Sequence, residues 1–339
     1  MAQRQTVVIT AELPSLATAI LSRKFDVVAH PSVGPRSEQA LITLISEADA
    51  AITLLSDPVT RRVLESNPNL RIVANYAVGV DNVDLRAAAE LGVVVTNTPG
   101  VLTDATADMT LALLLAAARR IVEGDRLVRA GEFHGWTPLM LLGASLRGKR
   151  LGILGMGRIG GAVAARARGF GLEIIYHSRS GNSEVERATG ARLVALDELL
   201  RTSDFVSVHT PLTPETRHLI DASALGMMKS TAYLINTARG SVIDEPALAE
   251  ALRTGRLRGA ALDVYESEPS VHPALLRLDN VVLLPHLGSA TVETRNEMAR
   301  IAAENVVAVL DGLPPLNPVS QSDQDDSRPE PSGAGERTG

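Results

Sequence analysis

The chain of 339 residues contains no cysteine. That absence excludes a disulfide scaffold, thiolate metal sites and a cysteine nucleophile. Aromatic residues make up only 3% of the chain, so its interior has to be packed with aliphatic side chains. No apolar run approaches the ~18 residues that a membrane-spanning helix needs. The opening Met1–Gln5 runs into the strand-like Thr6–Thr10 without a signal-peptide pattern. We read a cytoplasmic protein with no membrane partner. Positive charge is also short: the formal net charge is -6, and nothing supplies the basic face that a nucleic-acid binder presents.

What is present fits a globular protein of two domains. Hydrophobic residues are 45% and charged residues 21% of the chain, the balance of a soluble protein. The length exceeds one ordinary core and suits two. β-rich runs at 7–9, 26–29, 51–55, 71–75 and 93–97 alternate with helical stretches. A second series follows at 150–154, 173–177, 205–209, 232–236, 259–264 and 281–284. Such alternation predicts an α/β fold of two doubly wound parallel sheets, the second with the six strands of a dinucleotide-binding sheet. Between the series, 104–120 reads as one long Ala- and Leu-rich helix, either a connector or interface helix or an ordinary buried one. Another helix is expected over 293–311. From 318 to 339 the composition turns to Ser, Asp, Pro, Gly and Glu, which predicts a disordered tail.

The segment Gly155-Met156-Gly157-Arg158-Ile159-Gly160 follows an apolar strand and opens a helix, the context a GxGxxG phosphate turn requires. Gly155 permits the tight turn, Gly157 lets a pyrophosphate approach, and Gly160 lets the helix pack on the strand. The next strand ends in Ser178-Arg179-Ser180, where an NAD site would place an acidic residue. A hydroxyl beside a guanidinium suits a 2′-phosphate instead, so NADPH is the expected cofactor, with NADH use possible; a plain surface arginine is the alternative.

Arg239, Glu268 and His286 each follow a strand of the second series. The carboxyl ends of such strands share one crevice with the dinucleotide. Hydride delivered to a carbonyl carbon leaves negative charge on oxygen, which a protonated imidazole neutralises. A carboxylate beside that imidazole favours the charged form. A guanidinium pairs with a substrate carboxylate through two parallel hydrogen bonds. No metal is called for.

Over Thr6–Asn317 the sequence resembles the D-isomer-specific 2-hydroxyacid dehydrogenases, and most closely the glyoxylate/hydroxypyruvate reductases among them. The resemblance rests on Asn75–Asp81, Gly155–Gly160, Asn236–Gly240, Asp263–Pro269 and Pro285–Ser289, in the family's order and spacing. It implies a flavodoxin-like substrate domain made of 1–98 and 289–317, a Rossmann domain over 99–288, and an active site in the cleft between them. By the same resemblance Arg239 binds the substrate carboxylate, His286 is the general acid of reduction, and Glu268 holds it. Val78 and Gly79 offer backbone amides to the substrate carboxylate. Asp263 contacts the nicotinamide carboxamide, or else is a turn carboxylate. Thr106, Thr210, Thr237, Ala238 and Gly288 complete the cofactor candidates. Leu55 and Trp136 occupy pocket positions, Trp136 either reaching in from the other subunit of a homodimer or merely filling an interface.

These readings make the chain a reductase of small 2-oxo acids, glyoxylate to glycolate and hydroxypyruvate to D-glycerate. A 3-phosphoglycerate, phosphite or bulkier 2-oxo acid dehydrogenase is the rival within the family. A non-catalytic NAD(P)-sensing corepressor is the rival outside enzymology.

Overall fold

The structure is a computed structural model, described here for residues 4–31 and 34–320. Five strands form a first sheet: β1 (Thr6–Ile9), β2 (Asp26–Ala29), β3 (Ala50–Thr53), β4 (Ile72–Asn75) and β5 (Val94–Thr96), in the order β2-β1-β3-β4-β5 and parallel throughout. That order is the flavodoxin-like one. Seven more form a second parallel sheet: β6 (Arg150–Leu154), β7 (Glu173–His177), β8 (Arg192–Leu193), β9 (Phe205–Val208), β10 (Tyr233–Asn236), β11 (Gly259–Leu262) and β12 (Val281–Leu283). Their order, β12-β11-β10-β9-β6-β7-β8, is the doubly wound Rossmann order with one added edge strand. The expected six strands are therefore seven. The strand not expected, β8, has two exposed residues and so carries no apolar signal, while β12 is the added edge.

Side chains alternate across each sheet, as the period of two in a strand demands. Val7, Ile9, Ile52 and Ile72 face one layer, and Val8, Ala51 and Val73 the other. The first of these layers is closed by the helix Val292–Leu310, whose Met298, Ala302, Val306 and Val309 are buried against the five-stranded sheet. In the second sheet Leu151, Ile153, Tyr176 and Ile235 face the helix Thr103–Ala118, which buries Ala107, Leu111, Leu113, Leu114 and Ala118 there. In this chain that helix is a buried one. It stops at Ala118, two residues short of the expected end. Arg120 takes a left-handed backbone (φ 55), and a separate helix, Ile121–Arg129, departs from the turn with none of its residues buried.

The expected tail needs correction at its start. Pro318 bridges Thr96, and the Val319 amide donates to the Val95 carbonyl at 2.8 Å, so the chain is still paired to β5 at 319. The remainder of the expected tail, from 321, lies outside the described residues. Among the described residues no helix is long and apolar enough to cross a membrane.

Candidate active site

The turn after β6 is built by three glycines that cannot be exchanged for one another. Gly155 has φ +93, and a Cβ there would lie 2.7 Å from the His209 carbonyl oxygen, because the turn is pressed against the end of β9. A Cβ on Gly160 would meet the Gly155 carbonyl oxygen at 2.1 Å, so only glycine lets the helix Arg158–Ala167 sit this close to the turn. Gly157, the residue before that helix, has nothing within 4 Å of a notional Cβ. No side chain caps the helix, and its first amides have no partner inside it. Free amides facing open space at a helix N-terminus form an anion site, and a dinucleotide pyrophosphate fits it. On the facing strand end, the buried Oγ1 of Thr210 has no hydrogen-bond partner. Asn182 fixes the far side of the turn by donating to the Met156 carbonyl at 3.0 Å.

Past β7 the Ser178 hydroxyl donates to the Ser180 carbonyl, closing a short turn that carries Arg179. Glu215, in the loop after β9, is held below the ordinary carboxylate range by hydrogen bonds from Thr213 and its own amide and by the charge of Arg179. Arg179 thus faces that loop.

Arg239, Glu268 and His286 follow β10, β11 and β12. These are neighbouring parallel strands, so the three loops leave the sheet side by side. His286 Nδ1 lies 2.8 Å from Glu268 Oε2. Burial alone would raise the Glu268 pKa. The hydrogen bond and charge of His286, the Tyr265 amide and the charge of Arg239 outweigh it, and the carboxyl sits below its ordinary value. Glu268 is therefore ionised at neutral pH, Nδ1 donates to it, and Nε2 is the nitrogen left to meet a substrate.

The loop that carries His286 is gripped from below. His286 has a left-handed backbone (φ 58), uncommon for a residue with a Cβ. Its amide donates to the Asp263 backbone carbonyl at 2.9 Å. The next two amides, of Leu287 and Gly288, donate to the two carboxylate oxygens of Asp263 at 2.6 and 2.7 Å. Asp263 is fully buried, and burial, ahead of these bonds, pushes its carboxyl above the ordinary range. Both of its oxygens thus accept from the His286 loop, as a turn carboxylate does.

Across the cleft, the loop after β4 is held by asparagines. Asn97 Nδ2 donates to the Val78 carbonyl at 2.8 Å and Asn75 Nδ2 to the Gly79 carbonyl at 2.9 Å. The amides of Val78 and Gly79 donate to nothing among the described residues. Gly79 faces the arginine: a Cβ there would fall 1.8 Å from Arg239 Nη2. Arg239 Nε donates to Asp81 Oδ1 at 3.0 Å, joining the two sheets at this point. The sequence did not single out Asp81 because its partner lies 158 positions away.

The other expected residues fall in different places. Thr106 lies beside Gly288 and Asp263, 3.4 Å from a notional Gly288 Cβ. Thr237 joins Thr110 through their hydroxyls at 2.9 Å, and the Ala238 amide donates to Asn236 Oδ1 at 3.0 Å, shaping the turn that presents Arg239. Leu55 is half-buried just past β3. Trp136 stands apart from them within one chain, 77% exposed. No cluster suited to a metal occurs among the described residues.

The family model described as D-isomer specific 2-hydroxyacid dehydrogenase, NAD binding domain, matches residues 111–288. The chain belongs to that family. Among the relatives of this dehydrogenase is the glyoxylate reductase of Aeropyrum pernix, 52% identical, with 94% of this chain and 97% of that one covered. Solved structures similar to it include the NADPH-dependent glyoxylate/hydroxypyruvate reductase of Sinorhizobium meliloti in complex with NADP and malonate, at TM-score 0.84 and 35% identity over 94% of this chain and 97% of that one. The glyoxylate reductase of Paecilomyes thermophila gives the same TM-score and identity over 95% and 100%. The chain is an NAD(P)-dependent oxidoreductase with two parallel-sheet domains.

Glu268→Gln removes the negative charge bonded to His286 and keeps the side-chain shape. The carboxylate holds the ring by Nδ1 and offsets an imidazolium, so its loss is felt in the proton-transfer step. The kcat for reduction should fall about tenfold or more while the cofactor still binds. An unchanged kcat would remove Glu268 from the proton chemistry.

Proposed function

We propose that this dehydrogenase reduces glyoxylate to glycolate and hydroxypyruvate to D-glycerate and prefers NADPH. One arrangement carries this reading: an imidazole braced by an ionised carboxylate at 2.8 Å, beside Arg239, at the strand ends next to the glycine turn. The names of the relatives support the substrate class, and the NADP complex of the Sinorhizobium enzyme supports the cofactor. We divide the chain into a substrate domain of 1–98 and 289–317 and a dinucleotide domain of 99–288, working in the cytoplasm.

A bound reduced nicotinamide supplies the hydride. The protein does the rest. The amides of Val78 and Gly79 and the guanidinium of Arg239 take the substrate carboxylate, and Arg239 also polarises the keto oxygen. His286 Nε2 gives its proton to that oxygen as charge develops there. Glu268 remains ionised and offsets the imidazolium before the transfer. Gly155, Met156, Gly157, Arg158, Ile159 and Gly160 hold the pyrophosphate. Ser178, Arg179 and Ser180 hold the 2′-phosphate. Thr210 would stand beside the glycine turn, and Thr106, Thr237, Ala238, Asp263 and Gly288 would line the nicotinamide site, Asp263 acting through the loop amides it binds. Leu55 limits the size of the acid.

The enzyme is a homodimer in this reading. The helix Ile121–Arg129 has no buried residue, and Ile121, Val128, Phe133, Trp136, Leu139 and Leu142 are all exposed in one stretch of chain. Such continuous apolar exposure marks an association surface, and Trp136 then reaches the partner's pocket.

Assays of glyoxylate and hydroxypyruvate with NADPH and with NADH should give the higher kcat/KM with NADPH for both acids. Higher values with NADH throughout would overturn the role given to Arg179. His286→Ala should lower kcat by at least about a thousandfold while NADPH still binds. A near-normal kcat would take His286 out of the mechanism. Sedimentation should report a dimer, and substituting Phe133, Leu139 and Leu142 by Ser should shift it to monomer; a monomeric parent would refute the interface.

A further inference from the structure

We propose that Asp81 is a positioning residue of the reaction: it fixes the plane of the Arg239 guanidinium across the cleft, so that one edge of the arginine stays free for the substrate. The proposal rests on the role given to Arg239 above and concerns a carboxylate that the proposed mechanism does not otherwise use.

The anchor is rigid. Asp81 stands between Val80, which is buried in the core of the first sheet, and Asn82, whose Nδ2 donates to the carbonyls of Leu54 and Asp57 at 3.0 and 2.9 Å. Asn75 Nδ2 ties the same loop at Gly79 O, 2.9 Å, and at Asn82 Oδ1, 3.1 Å. The backbone that carries the Asp81 carboxylate is therefore set by the first domain before any ligand arrives.

The arginine is fixed twice. Nε donates to Asp81 Oδ1 at 3.0 Å and Nη1 to the Ala238 carbonyl at 2.8 Å. The bond to Ala238 is local and holds the guanidinium by one terminal nitrogen, leaving its plane free to swing about that point. The bond to Asp81 stops that swing and brings Nη2 over Gly79, where a Cβ would lie 1.8 Å away. The free amides of Val78 and Gly79 and the Nη2 edge are thereby brought to one place, which suits a carboxylate.

Stability does not account for this pair. Both side chains are partly exposed, and an exposed ion pair contributes only ~0–1 kcal/mol. Its electrostatics also run against simple affinity, because the negative Asp81 lies near the position of a negative substrate. A carboxylate kept in that place orients the arginine at some expense in anion binding. The two effects separate on mutation: orientation governs kcat, and net charge governs how tightly an anion binds.

The test is Asp81→Asn, which preserves size and an acceptor oxygen. With NADPH and glyoxylate, kcat should fall about tenfold or more, as misplacement of a substrate-binding group does. Oxalate, a planar two-carbon anion with no reducible carbonyl, should inhibit the variant at least as tightly as the parent, and NADPH affinity should not change. A kcat within about twofold of the parent would overturn the proposal. So would a parallel loss of oxalate binding, since that is the mark of a collapsed loop. Without substrate, the Nε–H resonance of Arg239 in 15N spectra should be sharp in the parent and exchange-broadened in Asp81→Asn; identical resonances would overturn the clasp. If the parent does not reduce glyoxylate, the proposed function fails, while oxalate binding and the resonance still decide the role of Asp81.

Discussion

The hydrogen bond between His286 Nδ1 and Glu268 Oε2, 2.8 Å long, is the interaction on which the site depends. It joins the loops after two neighbouring strands, selects which imidazole nitrogen faces the cleft, and places a negative charge where an imidazolium needs one. Burial works against it, since a half-buried carboxyl prefers to be neutral. The bond and charge of His286, with Arg239 nearby, reverse that preference. For Glu268, whose native pKa is depressed, the linked stability is present above the ordinary carboxylate value and is lost as pH falls through the depressed one.

Around this pair the fold supplies fixed backbone. Asp263 accepts the amides of Leu287 and Gly288 and holds His286 in a left-handed conformation that no helix or strand would provide. Asn75 and Asn97 do the same for the facing loop by occupying the carbonyls of Gly79 and Val78. Preorganised groups of this kind need no rearrangement as charge develops on a reacting oxygen. The two sheets thus present rigid loops to each other, and Arg239 spans the gap to Asp81.

Most of the sheet structure was legible in the sequence because parallel strands buried on both faces are nearly continuous apolar runs. β8 was not legible: its two residues, Arg192 and Leu193, are exposed and leave no pattern. The break after Ala118 was also hidden, because Arg120 makes the turn by taking a left-handed backbone that its residue type does not announce. The polar composition after Asn317 concealed the pairing of Val319 with Val95. In the site, the glycine turn could be read because Gly155 and Gly160 answer local steric demands and Gly157 leaves open space at the helix start. Asp81 could not, since its meaning comes from a side chain on another sheet. Asp263 was noticed, but its two amide bonds emerge only when the ends of β11 and β12 are side by side.

The account stands on Glu268 being a charged partner of His286. Its direct test is a pH titration of Glu268 followed by the 13C resonance of its labelled carboxyl, in the parent enzyme and in His286→Ala. In the parent the midpoint should lie below the ordinary glutamate value of about 4.3, and in the variant, where burial is less opposed, it should rise. A parent midpoint at or above the ordinary value, unmoved by loss of His286, would contradict the account.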